Sequence, residues 1–272
     1  MNTRAVAAIV RKDLKVAMQN RGVVLPIIIL PLFMFVILPW LAAYAPSWAG
    51  GSATSFNNMD EIMGRLPQGL LRELSGFQPD QQITVFILVY MLAPMFLILP
   101  LMVSSVIAAD SFAGEKERKT LEALLYTPTT DRELFTAKLV GAWLAAIAVA
   151  LIGFALYAVT VNAASWQSIG RIFFPNWMWV ALVFWVTPAV AGFGLVVMVF
   201  VSMRAQGFQD AYQIGGMVVL PVLLLVFGQI AGVMYFSLGL VLLVGAVIWL
   251  LDAALLWAAG KRFHRTELMA RM

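Results

Sequence analysis

Cysteine is absent from the 272 residues, and the only histidine, His264, stands in a charged C-terminal tail. No disulfide framework, thiolate metal site or catalytic thiol can be built from such a chain. Charge is scarce too: Asp, Glu, Lys and Arg make up 12% of the sequence, against about 25% in a soluble domain. What fills the chain instead is apolar, 62% by residue. Apolar runs of at least about 18 residues recur along its whole length, and about 20 helical residues cross a hydrocarbon core of roughly 30 Å. The solvent of this chain is therefore lipid. The net charge of +4 does not point to nucleic acid, because the basic residues fall where membrane topology wants them.

The pattern predicts an all-α membrane protein with one transmembrane domain over residues 1–272. Residues 3–20 read as an amphipathic interfacial helix, with Val6, Val10, Leu14 and Ala17 on one face and Arg4, Arg11, Lys15 and Gln19 on the other. Asp13 falls inside the apolar arc and needs a basic partner to neutralise it. Six transmembrane helices follow, over about 22–45, 83–109, 133–163, 177–203, 208–233 and 236–259. The apolar stretch of the first exceeds the usual 7–15 residues of a signal peptide, so no cleavage is expected. Pro26, Pro31 and Pro39 in span 1, and Pro94 and Pro100 in span 2, predict kinks whose freed carbonyls neighbouring helices satisfy. Spans 5 and 6 are joined by almost nothing, which suits a hairpin or a re-entrant dip.

Fifteen of the eighteen Lys and Arg residues lie on the side of the two termini, against Arg65, Arg72 and Arg171 on the other. Both termini are therefore expected in the cytoplasm, in a multi-pass protein of the cytoplasmic membrane. Trp40, Trp48, Trp166, Trp177 and Trp179 fall toward the opposite face, as an interfacial aromatic belt should. Residues 59–74 alternate Leu, Ile and Met with charges and predict a short helix lying on the outer leaflet.

Between spans 2 and 3 runs Phe112-Ala113-Gly114-Glu115-Lys116-Glu117-Arg118-Lys119-Thr120-Leu121-Glu122-Ala123-Leu124-Leu125-Tyr126-Thr127-Pro128. Charges crowd its first half and Leu121, Leu124 and Leu125 form an apolar stripe, which predicts a short cytoplasmic amphipathic helix stopped by Pro128. Thr130-Asp131-Arg132-Glu133 then reads as a capping box opening span 3. The string closely resembles the cytoplasmic loop of the type-2 ABC exporter permease family, typically Phe-x-x-Glu-Lys-Glu-Arg-Gly-Thr-Leu-Glu-x-Leu-Leu-x-Thr-Pro. Phe112, Glu115, Lys116, Glu117, Arg118, Thr120, Leu121, Glu122, Leu124, Leu125, Thr127 and Pro128 match, while Lys119 stands where glycine is usual. Arg11-Lys12-Asp13-Leu14 and Lys261-Arg262-Phe263 look like that family's connecting helix and basic ending.

The resemblance implies a permease subunit whose loop is a coupling helix seated on a separate ABC ATPase subunit. Its charged groups would orient the docked helix, and Leu121, Leu124 and Leu125 would fill an apolar groove. A weaker second contact would be the turn between spans 4 and 5, through Arg204, Gln206 and Asp210. The chain itself has no phosphate loop: Gly260-Lys261 lacks the preceding glycine and the following Ser or Thr. No enzyme activity or cofactor is expected in it, and ATP and Mg would belong to the partner. Six spans make half a pathway, so a second permease chain, identical or different, is expected beside membrane lipid.

Two intramembrane polar residues stand out. Asp252 in span 6 is either a proton or cation site or one half of a salt bridge, and Gln229 lies in a Gly228 to Gly232 small-residue pattern suited to helix packing. If Asp252 were a coupling site, an ion-gradient-driven secondary transporter would be the alternative function. A non-transporting membrane assembly subunit is the third class.

Overall fold

A computed structural model of the chain describes residues 3–48, 64, 66–118 and 131–262. Every regular element among them is helical. Six helices are long and apolar enough to cross a membrane: span 1, Arg21–Tyr44; span 2, Gln81–Glu117; span 3, Glu133–Ala164; span 4, Trp177–Ser202; span 5, Phe208–Ile230; and span 6, Leu238–Trp257. Spans 2 and 4 form the buried centre, packed on each other and on span 3. Span 1 leans on spans 2 and 3, span 5 on spans 2 and 4, and span 6 on span 4. The outward faces carry residues such as Ile28, Phe33, Ile152, Leu224, Phe227 and Leu250, as hydrocarbon requires.

Four prolines shape these helices in a regular way, whereas Pro26 and Pro31, also expected to kink span 1, lie inside the continuous α-helix Arg21–Leu32. A proline removes one backbone donor and its ring pushes against the carbonyl four residues earlier. Wide π-turns occupy Phe33–Ile37, Phe86–Met91 and Leu182–Val186, and a 3-10 turn occupies Gly216–Val219. Each contains the residue four positions before a proline: Phe35 before Pro39, Tyr90 before Pro94, Phe184 before Pro188 and Met217 before Pro221. The ladder opens where the ring would collide.

The freed carbonyls of span 2 then bind it to its neighbours. The Tyr157 hydroxyl of span 3 donates to Leu88 O at 2.5 Å. Trp179 Nε1 of span 4 donates to Val89 O at 2.7 Å, and Gln229 Nε2 of span 5 donates to Tyr90 O at 2.7 Å. Three successive carbonyls thus tie three different helices to one break. Replacing Gln229 with Leu should strand the Tyr90 carbonyl and cost about 1–3 kcal/mol, read as a lowered unfolding midpoint in lipid nanodiscs. An unchanged midpoint would show that this bond holds nothing.

Several expectations are corrected. Trp179 is no belt residue: it is fully buried, whereas Trp40, Trp166 and Trp177 are exposed. The N-terminal helix, Thr3–Gln19, forms as expected, and part of its apolar face also meets protein, with Ile9 and Val10 packed against Leu134 and Ala137 of span 3. Residues 49–63 and 65 lie outside the described ones. The described Gln68–Leu74 helix buries Leu70 and Leu74, with Leu66 just before it, in the main core instead of resting on a membrane surface. Its Glu73 accepts a hydrogen bond from the Tyr90 hydroxyl. Gly228 and Gly232 do not bring two helices together. They close span 5 with a Schellman cap, in which Val233 N donates to Gly228 O and Gly232 N to Gln229 O, with Gly232 at φ 72°. Residues 231–237 then lead into span 6.

Candidate functional site

Span 2 does not stop at Ala109. Its helix runs on through a π-turn at Asp110–Gly114 to Glu117, so Glu115 to Arg118 ride on the end of a membrane span rather than on a separate helix. Residues 119–130, which include Thr120, Leu121, Glu122, Leu124 and Leu125, lie outside the described residues.

Each of the four charged residues on this tail has a partner inside the chain. Glu115, buried, takes Lys12 Nζ of the N-terminal helix on Oε1 at 2.5 Å and Lys138 Nζ of span 3 on Oε2 at 2.6 Å. Lys138 also donates to Ser111 O at 2.7 Å and stands over the Phe112 ring, 5.5 Å from its centroid. Asp13 completes the group, 3.2 Å from Lys12 and 3.5 Å from Lys138. Two lysines and two carboxylates therefore balance in a site where the Lys138 side chain is 1% exposed. Asp13 sits in an apolar arc because Lys12 and Lys138 neutralise it there.

Burial alone would lower the Lys12 ammonium, but the hydrogen bond and charge of Glu115, helped by Asp13, outweigh it and hold the group above the ordinary lysine value. That contribution is complete below the ordinary value and is lost as pH rises through the raised one, so the Lys12 share of the joint is lost in alkaline solution.

The other three charges reach elsewhere. Arg118 grips Asp110 eight residues back, with both Nη1 and Nη2 on Oδ1 at 3.1 and 3.2 Å, and Asn20 Nδ2 at the mouth of span 1 donates to the same oxygen at 3.0 Å. Lys116 Nζ donates to Ala205 O at 3.3 Å. Glu117 Oε2 accepts from Phe208 N at 2.9 Å, a carboxylate on the first turn of span 5, where the helix dipole favours it. The contact is close enough that a Cβ on Gly207 would come within 2.5 Å of Glu117 Oε2.

The expected first contact, through Glu115 to Arg118, and the expected second contact, the turn between spans 4 and 5, thus form one assembly. Within that turn Arg204 and Gln206 are exposed, and Asp210 accepts from Gln206 N at 3.0 Å. Lys12, Asn20 and Lys138 escaped sequence reasoning. The only signal was Asp13, whose place in an apolar arc demanded a cation. Gln229 is used structurally, on the Tyr90 carbonyl. Asp252 is buried, but both its carboxylate oxygens lack a hydrogen-bond partner among the described residues, so neither a salt bridge nor another polar contact holds it there.

The assembly joins the N-terminal helix, the mouth of span 1, spans 2 and 3 and the start of span 5 at one end of the helical bundle. No curated protein and no solved structure matches the chain. The family described as ABC-2 family transporter protein matches residues 7–256, nearly the whole chain, and the six apolar helices agree with it. The chain belongs to the ABC-2 transporter family, as a membrane-embedded permease of an ABC transporter.

Proposed function

We propose that this chain is the permease of an ATP-driven exporter, coupled at its cytoplasmic end to a separate ATPase that binds ATP and Mg, and paired with a second permease chain. The observation that carries this reading is the tail of span 2. In the sequence Lys119 and then Thr120 to Leu125 follow it, and its charges fasten it to the N-terminal helix, span 3 and the start of span 5. A push on residues 120–125 would travel as a rigid-body displacement through Glu115 into two helices and through Lys116 and Glu117 into a third. The strong Lys and Arg bias toward this end supports its lying in the cytoplasm.

In this reading Glu115 to Arg118 do not orient the docked segment on the ATPase. They hold the joint, and docking falls to Leu121, Glu122, Leu124 and Leu125. A buried leucine contributes about 1.5–3 kcal/mol, so exchanging one for a charge should weaken docking tenfold or more. The test co-expresses the chain with the ATPase encoded beside it, purifies through a tag on the permease, and compares wild type with Glu122→Lys/Leu124→Asp. Wild type should retain the ATPase, and the variant should lose it while keeping its unfolding midpoint. A wild type that carries no ATPase, or a variant that assembles and transports normally, overturns the reading. Transport without any ATPase would favour an ion-gradient mechanism instead.

A further inference from the structure

Span 6 touches span 4 along a single stripe. Residues 241, 245, 248 and 252, three and four apart, lie on one helix face, with Val241, Gly245 and Asp252 buried and Ile248 half-buried. Trp185 Nε1 donates to Leu242 O at 3.2 Å, and Trp249 Nε1 donates back to Trp185 O at 3.2 Å. Gly245 lets the Trp185 ring against the helix, since a Cβ there would fall 2.4 Å from it. The stripe ends on Asp252, which is 2% exposed and pressed against Gly192, where a Cβ would stand 2.7 Å from Asp252 Oδ2.

Nothing charged meets this carboxyl among the described residues. Span 4 has no ionisable side chain. The ionisable groups of span 3 are Glu133, at its far charged end, Lys138, bound to Glu115, and Tyr157, bound to Leu88 O. Trp143 Nε1, which also lies beside Gly192, already donates to Pro188 O at 2.8 Å. A bare carboxylate in apolar surroundings is too costly to persist. A metal cation would need several further oxygens, and no group of His, Cys, Asp or Glu side chains among the described residues supplies them. A proton needs none.

We infer that Asp252 is a proton-binding site at the seam between spans 4 and 6, and that the seam closes on the neutral carboxyl. The O–H bond breaks only when span 6 parts from span 4 and water reaches the group; the proton passes to that water and the carboxylate keeps the electron pair. Gly192 and the two tryptophan bonds give the seam its closed geometry, and the proton is the ligand that permits it.

The test uses the full chain in nanodiscs at neutral pH and needs no ATPase, so its failure would leave the permease reading intact. Infrared spectra of wild type and Asp252→Asn are compared in the free-acid carbonyl region. Wild type should show a carboxylic-acid band that is missing from the variant and that moves when the protein is made with aspartate bearing heavy carbon at the carboxyl. Should Asp252→Asn fail to fold, Asp252→Ser takes its place, and the isotope arm still reports on wild type. No acid band in folded wild type, or a band that persists in the variant, overturns the inference.

Discussion

Replacing Glu115 with alanine is expected to destabilise the protein by about 3–5 kcal/mol, because one partner of a buried ionic group is removed and the others keep their charge. Lys138, with its side chain 1% exposed, would be left facing Asp13 at 3.5 Å and the Ser111 carbonyl at 2.7 Å. Lys138→Met should cost a similar amount by stranding Asp13 and half of Glu115. The two losses should not add: residues in one ion-paired network couple by about 0.5–3 kcal/mol in a double-mutant cycle. Unfolding midpoints in nanodiscs measure this, and additive losses would mean that the pair is not coupled.

A sharper outcome separates stability from transmission. Converting Lys12, Asp13, Glu115 and Lys138 together to apolar residues of similar size should restore much of the stability, since packed hydrophobes commonly replace buried ion pairs at little cost. Transport should stay impaired if Glu115 links span 2 to the N-terminal helix and span 3. Full transport in that variant would reduce the network to a structural plug.

The second large effect is expected at Trp179. Its ring lies 4.9 Å from both Tyr157 and Phe174 and 5.3 Å from Phe96, and its Nε1 holds the Val89 carbonyl of the broken span 2. Trp179→Ala removes packing and hydrogen bond together and should cost about 3–5 kcal/mol. Trp179→Phe keeps much of the aromatic body but strands the carbonyl, for about 1–3 kcal/mol. Midpoints that rank wild type, Phe, Ala in falling order bear this out. Equal losses for Phe and Ala would place the whole effect in the hydrogen bond.

Much of the architecture was legible before any contact was known. The free energy of moving a residue into hydrocarbon belongs to that residue and its near neighbours, so six runs of Leu, Val, Ile and Phe suffice to predict six spans. Proline acts locally too, which is why Pro39 and Pro94 marked breaks in their own helices. Asp13 carried a message of the same local kind, since a charge in an apolar arc needs a partner wherever that partner comes from.

The partners themselves came only from the tertiary structure. Lys12 and Glu115 are 103 residues apart, Glu117 and Phe208 are 91 apart, and Gln229 and Tyr90 are 139 apart. No spacing rule reaches across such distances. Glu115 and Glu117 read alike in the sequence, yet one is buried between two lysines and the other caps the start of span 5. Trp179 looked like an interfacial anchor, yet it is fully buried. Sequence by itself pointed to a chain that lives in lipid, with six helices long and apolar enough to cross it. Which apolar faces meet protein and which meet lipid was decided only by the packed bundle, because a leucine finds both surroundings equally apolar and hydropathy cannot tell them apart.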